Sequence, residues 1–331
     1  MTIEVSICIP IYNANHKMLQ ATIESALAQS EQYLKEIIVC DDSSDNCYLE
    51  LIRLLNDDRI HFYRNKSNLG MVGNWNNVIR RSIGSHIILL GHDDLLPPDA
   101  LEIHAETFAR FSNIGLSSGN RELIDVKGEI VQKSRSFSDR TKIFTRPGFY
   151  RISGYECTAM SLQSGNAIGE PSATMFKRSV FDSVSGFSTD FRHSADVDFN
   201  IRVSKKSDIG FNTQIVIRRR IHQANLTKSN LSCGQITKER VMLWLRHQDS
   251  FSFPKSEKEE FAVYLTVKSA WDLARGLMCR EKPLFMAGWQ GVTAVKRIYF
   301  IKTALFIINV ITRRTTVSRS LLKKISHCDN G

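Results

Sequence analysis

Ile87-Ile88-Leu89-Leu90-Gly91-His92-Asp93-Asp94-Leu95-Leu96-Pro97-Pro98 decides how this chain is read. Its apolar opening carries no charge, the pattern of a strand buried on both faces, as in a parallel sheet. The run stops at two adjacent carboxylates, and a proline-initiated helix follows. The acids therefore stand at the carboxyl end of a strand, where open α/β sheets bind ligands. Two carboxylates held together repel unless a cation lies between them, and Mg²⁺ or Mn²⁺ is the expected guest. A plainer alternative is that Asp93 and Asp94 cap the helix starting near Pro98.

Outward from this stretch, strand and helix patterns alternate. Val5-Ser6-Ile7-Cys8-Ile9-Pro10 reads as a first buried strand ended by proline, followed by Ile11-Tyr12-Asn13. Met18, Leu19, Thr22, Ile23, Ala26 and Leu27 recur at helical spacing, and residues 36–40 give a second strand ending at Asp41-Asp42-Ser43-Ser44. Residues 49–55 predict a helix and 60–63 a strand. After Asn68-Leu69-Gly70, the segment 71–83 places Val72, Trp75, Ile79 and Ile83 on one helical face. Such alternation implies a mostly parallel, doubly wound sheet flanked by helices. No GxGxxG follows the first strand and no GxxxxGK[ST] occurs, so dinucleotide and P-loop readings lose their main support.

Beyond Pro98 the expected elements are a helix at 101–111, a strand at 114–118 and a hairpin around Lys127-Gly128. A polar loop at 134–150 and helices at 172–187 and 197–203 follow. The last hundred residues have a helical pattern.

Charge divides the chain unevenly. Residues 1–200 hold 20 basic and 25 acidic side chains, net −5, whereas residues 201–331 hold 24 and 9, net +15. The basic half calls for an anionic partner: lipid, a diphosphate-bearing substrate or nucleic acid, although no nucleic-acid-binding motif is recognisable. Residues 298–312 are apolar except for Lys302 and Asn309. Fifteen residues rise only about 22 Å as a helix against roughly 30 Å of hydrocarbon, too short to span. With Lys296-Arg297 and Arg313-Arg314 on its flanks the segment suits a helix lying on an anionic membrane surface; an ordinary core helix followed by a basic tail is the alternative. Seven scattered cysteines without metal-site spacing, and an N-terminus without a leader pattern, point to a reducing cytoplasmic setting.

Four strand ends thus gather Ile9-Pro10-Ile11-Tyr12-Asn13, Asp41-Asp42-Ser43-Ser44, Asn68-Leu69-Gly70 and His92-Asp93-Asp94. Together they resemble the family-2 inverting glycosyltransferases of the GT-A fold over about residues 3–228. Gly186-Phe187 and Ser194-Ala195-Asp196-Val197-Asp198-Phe199-Asn200-Ile201-Arg202 resemble that family's GGF and EDxDLxxR segment, and Arg220-Ile221-His222-Gln223-Ala224-Asn225-Leu226-Thr227 its RxHxxNxS/T element. The resemblance implies a transferase domain at 1–230, with residues 1–100 binding a nucleotide sugar and 101–230 on the acceptor side. A helical basic extension at 231–331 then follows.

The roles it implies are specific. Tyr12 would stack on the nucleobase and Asp42 accept its imide N–H, with Pro10, Asn13, Asn68 and Gly70 shaping the donor site. Asp93 would hold the ribose or a metal-bound water and Asp94 the metal. Arg220 would contact the diphosphate, His222 the diphosphate or the metal, and Asp196 would be the general base. Asp198 reads as structural. Each residue also has a local alternative: Tyr12 as a core aromatic, Asp42 as a turn residue, Asp196 as a helix cap, His222 as a surface side chain. Gly91, Ala195 and Val78 depart from the family pattern, and Gly91 bears on metal affinity because many relatives have an acid there.

The expected activity is metal-dependent, inverting transfer of a sugar from a nucleoside diphosphate, UDP or dTDP, to a hydroxyl of a surface glycan precursor on a lipid carrier. Its expected place is the inner membrane face. A sugar-nucleotide-binding module without catalysis is the rival, with nucleotidyl transfer disfavoured by the lack of a Gly-rich, basic loop after the first strand.

Overall fold

The computed structural model describes residues 2–132, 146–221 and 235–253, with 258, 265, 269 and 286 besides. The chain divides into two compact units, Met1–Ala224 and Asn225–Gly331.

In the first unit, β1 (Val5–Ile11), α1 (His16–Leu27), β2 (Leu34–Asp41), α2 (Leu49–Leu55), β3 (Ile60–Arg64), α3 (Met71–Arg81), β4 (His86–Leu89) and α4 (Ala100–Arg110) alternate as their sequences predict. The strands line up β3-β2-β1-β4, all parallel. Ile7, Ile9, Ile37, Val39 and Ile88 are fully buried, with Leu19, Ile23 and Ala26 of α1 in the same core cluster.

Beyond β4 the sheet changes character. β5 (Ile114–Ile124), β6 (Ile130–Gln132), β7 (Phe149–Ile152), α5 (Gly154–Ser164), a 3₁₀ turn (Pro171–Ala173), β8 (Thr174–Lys177), α6 (Arg178–Ser183), α7 (Ala195–Ser204) and β9 (Asp208–Arg220) follow. β8 inserts antiparallel between β4 and β5, β9 runs parallel to β5, and β7 closes that edge antiparallel. The expected hairpin is present as β5–β6, where Asp125 accepts from the amides of Lys127 and Glu129 at 2.8 and 3.0 Å.

Several expectations are corrected. Pro10 does not end the first strand but lies within β1, because the parallel ladder continues to Ile11 opposite Asp41. Residues 172–187 are not one helix: Thr174-Met175-Phe176-Lys177 pair with two neighbouring strands, leaving only a short helix at 178–183. α3 ends at Arg81, so Ile83 is exposed rather than on the buried face. Phe149 and Tyr150 belong to β7, not to a loop; residues 133–145 lie outside the described residues.

In the second unit α8 (Gln235–His247) is helical, as the C-terminal pattern predicts. The 298–312 segment and its basic flanks lie outside the described residues. Among the described residues no helix is long and apolar enough to cross a membrane. Cys8, Cys40, Cys47 and Cys157 are free thiols, and burial pushes the Cys8 thiol up to about 12.

Candidate functional site

Because β2, β1 and β4 are adjacent and parallel, their carboxyl ends present Asp42, Tyr12 and the acid turn 91–94 along one edge. With roughly 4.8 Å between strands, the outer two of these lie about 10 Å apart.

The first turn is built by backbone geometry. Asn13 adopts a left-handed φ of 47° and Ser43 one of 63°. The Asn13 amide donates to Ser44 Oγ at 2.8 Å, and its side chain pairs with Asp45. Asn13 therefore clamps two loops together, which is a different use from the donor contact expected of it. Tyr12 is left 51 % exposed, so it is not a core aromatic. Asp41 is tied to Ser44 and Arg64, holding the second turn.

Asp42 is buried, and its Oδ1 accepts from Asn65 Nδ2 at 2.7 Å and from the Leu69 amide at 2.8 Å. Asn68 Oδ1 accepts the Gly70 amide at 2.8 Å, forming the turn that enters α3. Gly70 sits at φ 75°, where a side chain would be strained, yet the space beside it is open.

The acid turn is held from three sides. Leu95 and Arg218 form an isolated antiparallel bridge, which ties the turn to β9. Thr22 Oγ1 donates to the Asp94 carbonyl at 2.9 Å from α1. Ser172 Oγ accepts the Gly91 amide at 3.0 Å and donates to Asp94 Oδ2 at 2.9 Å, while the Arg220 amide donates to Asp94 Oδ1 at 3.0 Å. Burial first, and then the Asp93 charge, push the Asp94 carboxyl up to about 7. Asp93 is half-buried beside it.

Gly91 has a physical role here. A Cβ at this position would lie 2.9 Å from Asp94 Oδ2 and 3.3 Å from Asp93 Oδ1, so both carboxylates converge on the space glycine leaves. Two converging hard oxygen donors, one with raised proton affinity, fit a divalent cation that takes its remaining ligands from phosphate and water. Among the described residues no group of three or more His, Cys, Asp or Glu side chains gathers as a metal site.

Arg220 is placed differently from the diphosphate contact expected of it. It is 4 % exposed, its Nε donates to the Asp93 carbonyl at 2.8 Å and its Nη1 to the Asp125 carbonyl at 2.7 Å. The reason is position: as the last residue of β9 it closes the space behind the acid turn. His222 lies outside the described residues.

On the acceptor side, Asp196 is the second residue of α7, whose cap position is Ser194, so it is not itself the cap. Asn166 Nδ2 donates to Asp196 Oδ2 at 2.6 Å, and Asn166 Oδ1 accepts the Gly169 amide at 2.8 Å. The stretch 166–172 thus holds Asp196 at its start and Asp94 at its end. Between them Glu170 pairs with Arg121, and although burial opposes its charge, Arg121 and Arg219 hold its carboxyl below the usual range.

α7 is seated by aromatics: Phe199 stacks on Phe187 at 4.2 Å and meets Phe176 edge-on at 5.1 Å. The Gly186-Phe187 turn is in turn clasped by Asn76, which exchanges two 2.8 Å bonds with the Phe187 backbone. Asp198 is fully buried and bonded to Arg202 at 2.7 Å, the structural role its pattern suggests. Sequence reading missed Asn65, Asn76 and Asn166. The signal for Asn76 was available, since asparagines at 74, 76 and 77 are poor helix formers inside a helix.

The chain is similar in sequence and fold to known proteins. The chain is 29 % identical over 254 residues to an uncharacterised protein of Mycobacterium tuberculosis, covering 73 % of this chain and 75 % of that one. It is 27 % identical to an uncharacterised glycosyltransferase of Rickettsia conorii, covering 79 % of this chain but only 41 % of the relative. Chondroitin synthase of Escherichia coli is 25 % identical over 69 % of this chain and 30 % of its own length. Among solved structures, Staphylococcus aureus TarS in complex with UDP-GlcNAc superposes with a TM-score of 0.64 at 13 % identity, covering 90 % of this chain and 83 % of that one. A Pyrobaculum calidifontis mannosyltransferase in complex with GDP-Man and Mn²⁺ gives 0.58 at 14 %, covering 99 % and 85 %. These likenesses identify the fold as that of the GT-A transferases. The family model for glycosyl transferase family 2 matches residues 6–184 of the 331, and the chain belongs to that family of glycosyltransferases.

Proposed function

We propose that this glycosyltransferase is metal-dependent and inverting, moving a sugar from a nucleoside diphosphate to a glycan hydroxyl. The observation that carries the reading is the single sheet edge on which a clamped Asp42, an exposed Tyr12 and the paired Asp93 and Asp94 stand, with Asp196 at the start of α7.

Tyr12 offers a ring face to a base, and Asp42 an acceptor to a base N–H, which suits uracil, thymine and guanine rather than cytosine or adenine. Asp93 and Asp94 take Mn²⁺ or Mg²⁺, with Asp94 anchored by Ser172 and the Arg220 amide. When bound, the metal neutralises charge building on the diphosphate leaving group. Asp196 removes the proton of the acceptor hydroxyl as that oxygen forms its bond to the anomeric carbon and the bond to the diphosphate breaks. A carboxylate on the face opposite the leaving group gives inversion.

Relatives support nucleotide-sugar use. One structural neighbour was solved with UDP-GlcNAc and another with GDP-Man and Mn²⁺. An E. coli glucosyltransferase that acts on a GlcNAc-diphosphoundecaprenol is 32 % identical over 121 residues. A lipid-linked acceptor and a seat on an anionic inner membrane face are consistent with that relative and with the +15 charge of residues 201–331.

The test is thermal stabilisation by UDP-, dTDP-, GDP- and CDP-sugars, with and without Mn²⁺. A ligand at 100 times its dissociation constant adds about 2.7 kcal/mol. Metal-dependent stabilisation by at least one donor is expected, and stabilisation by none would reject the reading. Flotation with anionic but not zwitterionic vesicles tests the membrane seat; equal recovery with both would remove it.

A further inference from the structure

We propose that Asn65 is the positioning residue that makes Asp42 selective for a nucleobase presenting an N–H. The proposal rests on the base-reading role given above to Asp42.

The carboxylate is held by one oxygen only. Both donors, Asn65 Nδ2 at 2.7 Å and the Leu69 amide at 2.8 Å, converge on Oδ1, which turns Oδ2 away from them. A carboxylate oxygen accepts and cannot donate. It therefore welcomes uracil N3–H or guanine N1–H, and sets a lone pair against cytosine N3 or adenine N1. A buried polar group left facing the wrong partner discriminates far more strongly than shape.

What gives Asn65 this role, rather than that of a passive neighbour, is the fixing of its own amide. Asn65 is 8 % exposed, and its Oδ1 accepts from Asn77 Nδ2 at 2.6 Å and from Cys40 Sγ at 3.4 Å. Those donors force the NH₂ toward Asp42, since a flipped amide would set donor against donor and oxygen against oxygen. The same NH₂ also donates to Asn74 Oδ1 at 3.1 Å, and Asn74 Nδ2 reaches the carbonyls of Cys40 at 3.0 Å and Ile11 at 3.4 Å. The chain Asn77, Asn65, Asp42 thus runs from α3 to the end of β2, with Asn74 locking it to the end of β1. The two asparagines that α3 places on this side answer to Asp42 through Asn65, and their cost in helix propensity acquires a reason.

The experiment measures dissociation constants of UDP against CDP, and of GDP against ADP, all with Mn²⁺, on the full chain. Within each pair the diphosphate is the same, so the ratio reports the base edge. The wild type should prefer UDP or GDP over its counterpart by about thirtyfold or more. Asp42→Asn should flatten that preference. Asn65→Asp keeps an oxygen for Asn77 but replaces the donor facing Asp42, and should flatten the preference to within about threefold; Asn65→Ala should reduce it roughly tenfold. Asn77→Ala, which frees the Asn65 amide to turn, gives a milder variant at a half-buried position should changes at Asn65 prevent folding, and it too should narrow the ratio. In the Asp42→Asn background, Asn65→Ala should change the ratio no further.

A merely structural Asn65 would weaken both nucleotides of a pair equally and leave the ratio intact. Loss of preference in Asp42→Asn but not in the Asn65 or Asn77 variants overturns the proposal and spares the reading of Asp42. Preference retained in Asp42→Asn, or absent in the wild type, overturns both.

Discussion

Replacing Gly91 by alanine places one methyl group where the two site carboxylates converge. The added carbon would lie 2.9 Å from Asp94 Oδ2, closer than real contacts of this kind, and 3.3 Å from Asp93 Oδ1. Gly91 is not among the positive-φ glycines, so alanine meets no backbone strain there and the fold should persist. Asp94 must yield, but its two oxygens are held by Ser172 Oγ at 2.9 Å and the Arg220 amide at 3.0 Å. Turning the carboxylate breaks or stretches one of these charge-assisted bonds, each worth about 1.5–3 kcal/mol. If the metal depends on that geometry, Mn²⁺-dependent nucleotide affinity should fall about ten- to hundredfold. Calorimetric titration of UDP with and without Mn²⁺, beside a melting curve, reads both effects. A metal-dependent affinity within twofold of wild type, with an unchanged melt, would refute the reasoning that these two oxygens form the metal seat.

Two buried histidines set a pH dependence of stability. Burial, aided by Lys177, lowers His86 to about 4, and burial lowers His104 to about 3. Both fold as neutral rings, so the unfolded chain takes up their protons first, below its own value near 6.5. Their contribution is complete above that value and is lost as pH falls from there toward 4 and 3; by pH 5 each should cost about 2 kcal/mol. Asp94, whose carboxyl burial pushes up to about 7, works the opposite way and regains about 2 kcal/mol over the same range. The check is therefore the comparison of variant with wild type: in denaturant unfolding, His104→Gln should lose about 2 kcal/mol less than wild type between pH 7 and 5. Phe187→Ala empties the aromatic cluster beneath α7 and should cost about 3–5 kcal/mol in denaturant unfolding. A loss under 1 kcal/mol would mean that α7 is seated otherwise.

The parallel half of the sheet was readable because its strands are buried on both faces. Runs such as Ile37-Ile38-Val39-Cys40 and Ile87-Ile88-Leu89-Leu90 have no solvent face to dilute, and they end at acids that mark the sheet edge. The second half hid its strands. Thr174-Met175-Phe176-Lys177 is four residues long and abuts a helix of six, so their apolar positions merge into one helix-like pattern. β9 is broken by Asn212, which bonds to Thr107, Ser118 and the Gln214 amide in a bulged register. The acids at 93 and 94 could be named from the strand they end, and those at 42 and 196 from the family resemblance. The side chains that aim them could not, since Asn65, Asn166 and Ser172 meet their partners across 23, 30 and 78 residues of chain. The contacts of Arg220 were hidden for a related reason: a basic run beside a candidate site suggests an anion, whereas strand geometry also brings this guanidinium to two backbone carbonyls.

Asp196→Asn tests most directly whether this chain transfers sugar or only binds its donor. The amide is nearly isosteric but keeps one oxygen where the carboxylate takes two donors, Asn166 Nδ2 at 2.6 Å and the Val197 amide at 2.9 Å, so stability should fall by about 1–2 kcal/mol while donor affinity with Mn²⁺ stays within about twofold of wild type. It cannot accept a proton from the attacking hydroxyl, and general-base catalysis is worth roughly 10²- to 10⁴-fold. Turnover measured with whichever nucleotide sugar stabilises the wild type should fall by that factor. Wild-type turnover in the variant would contradict the assignment of Asp196 as the base and with it the proposed mechanism.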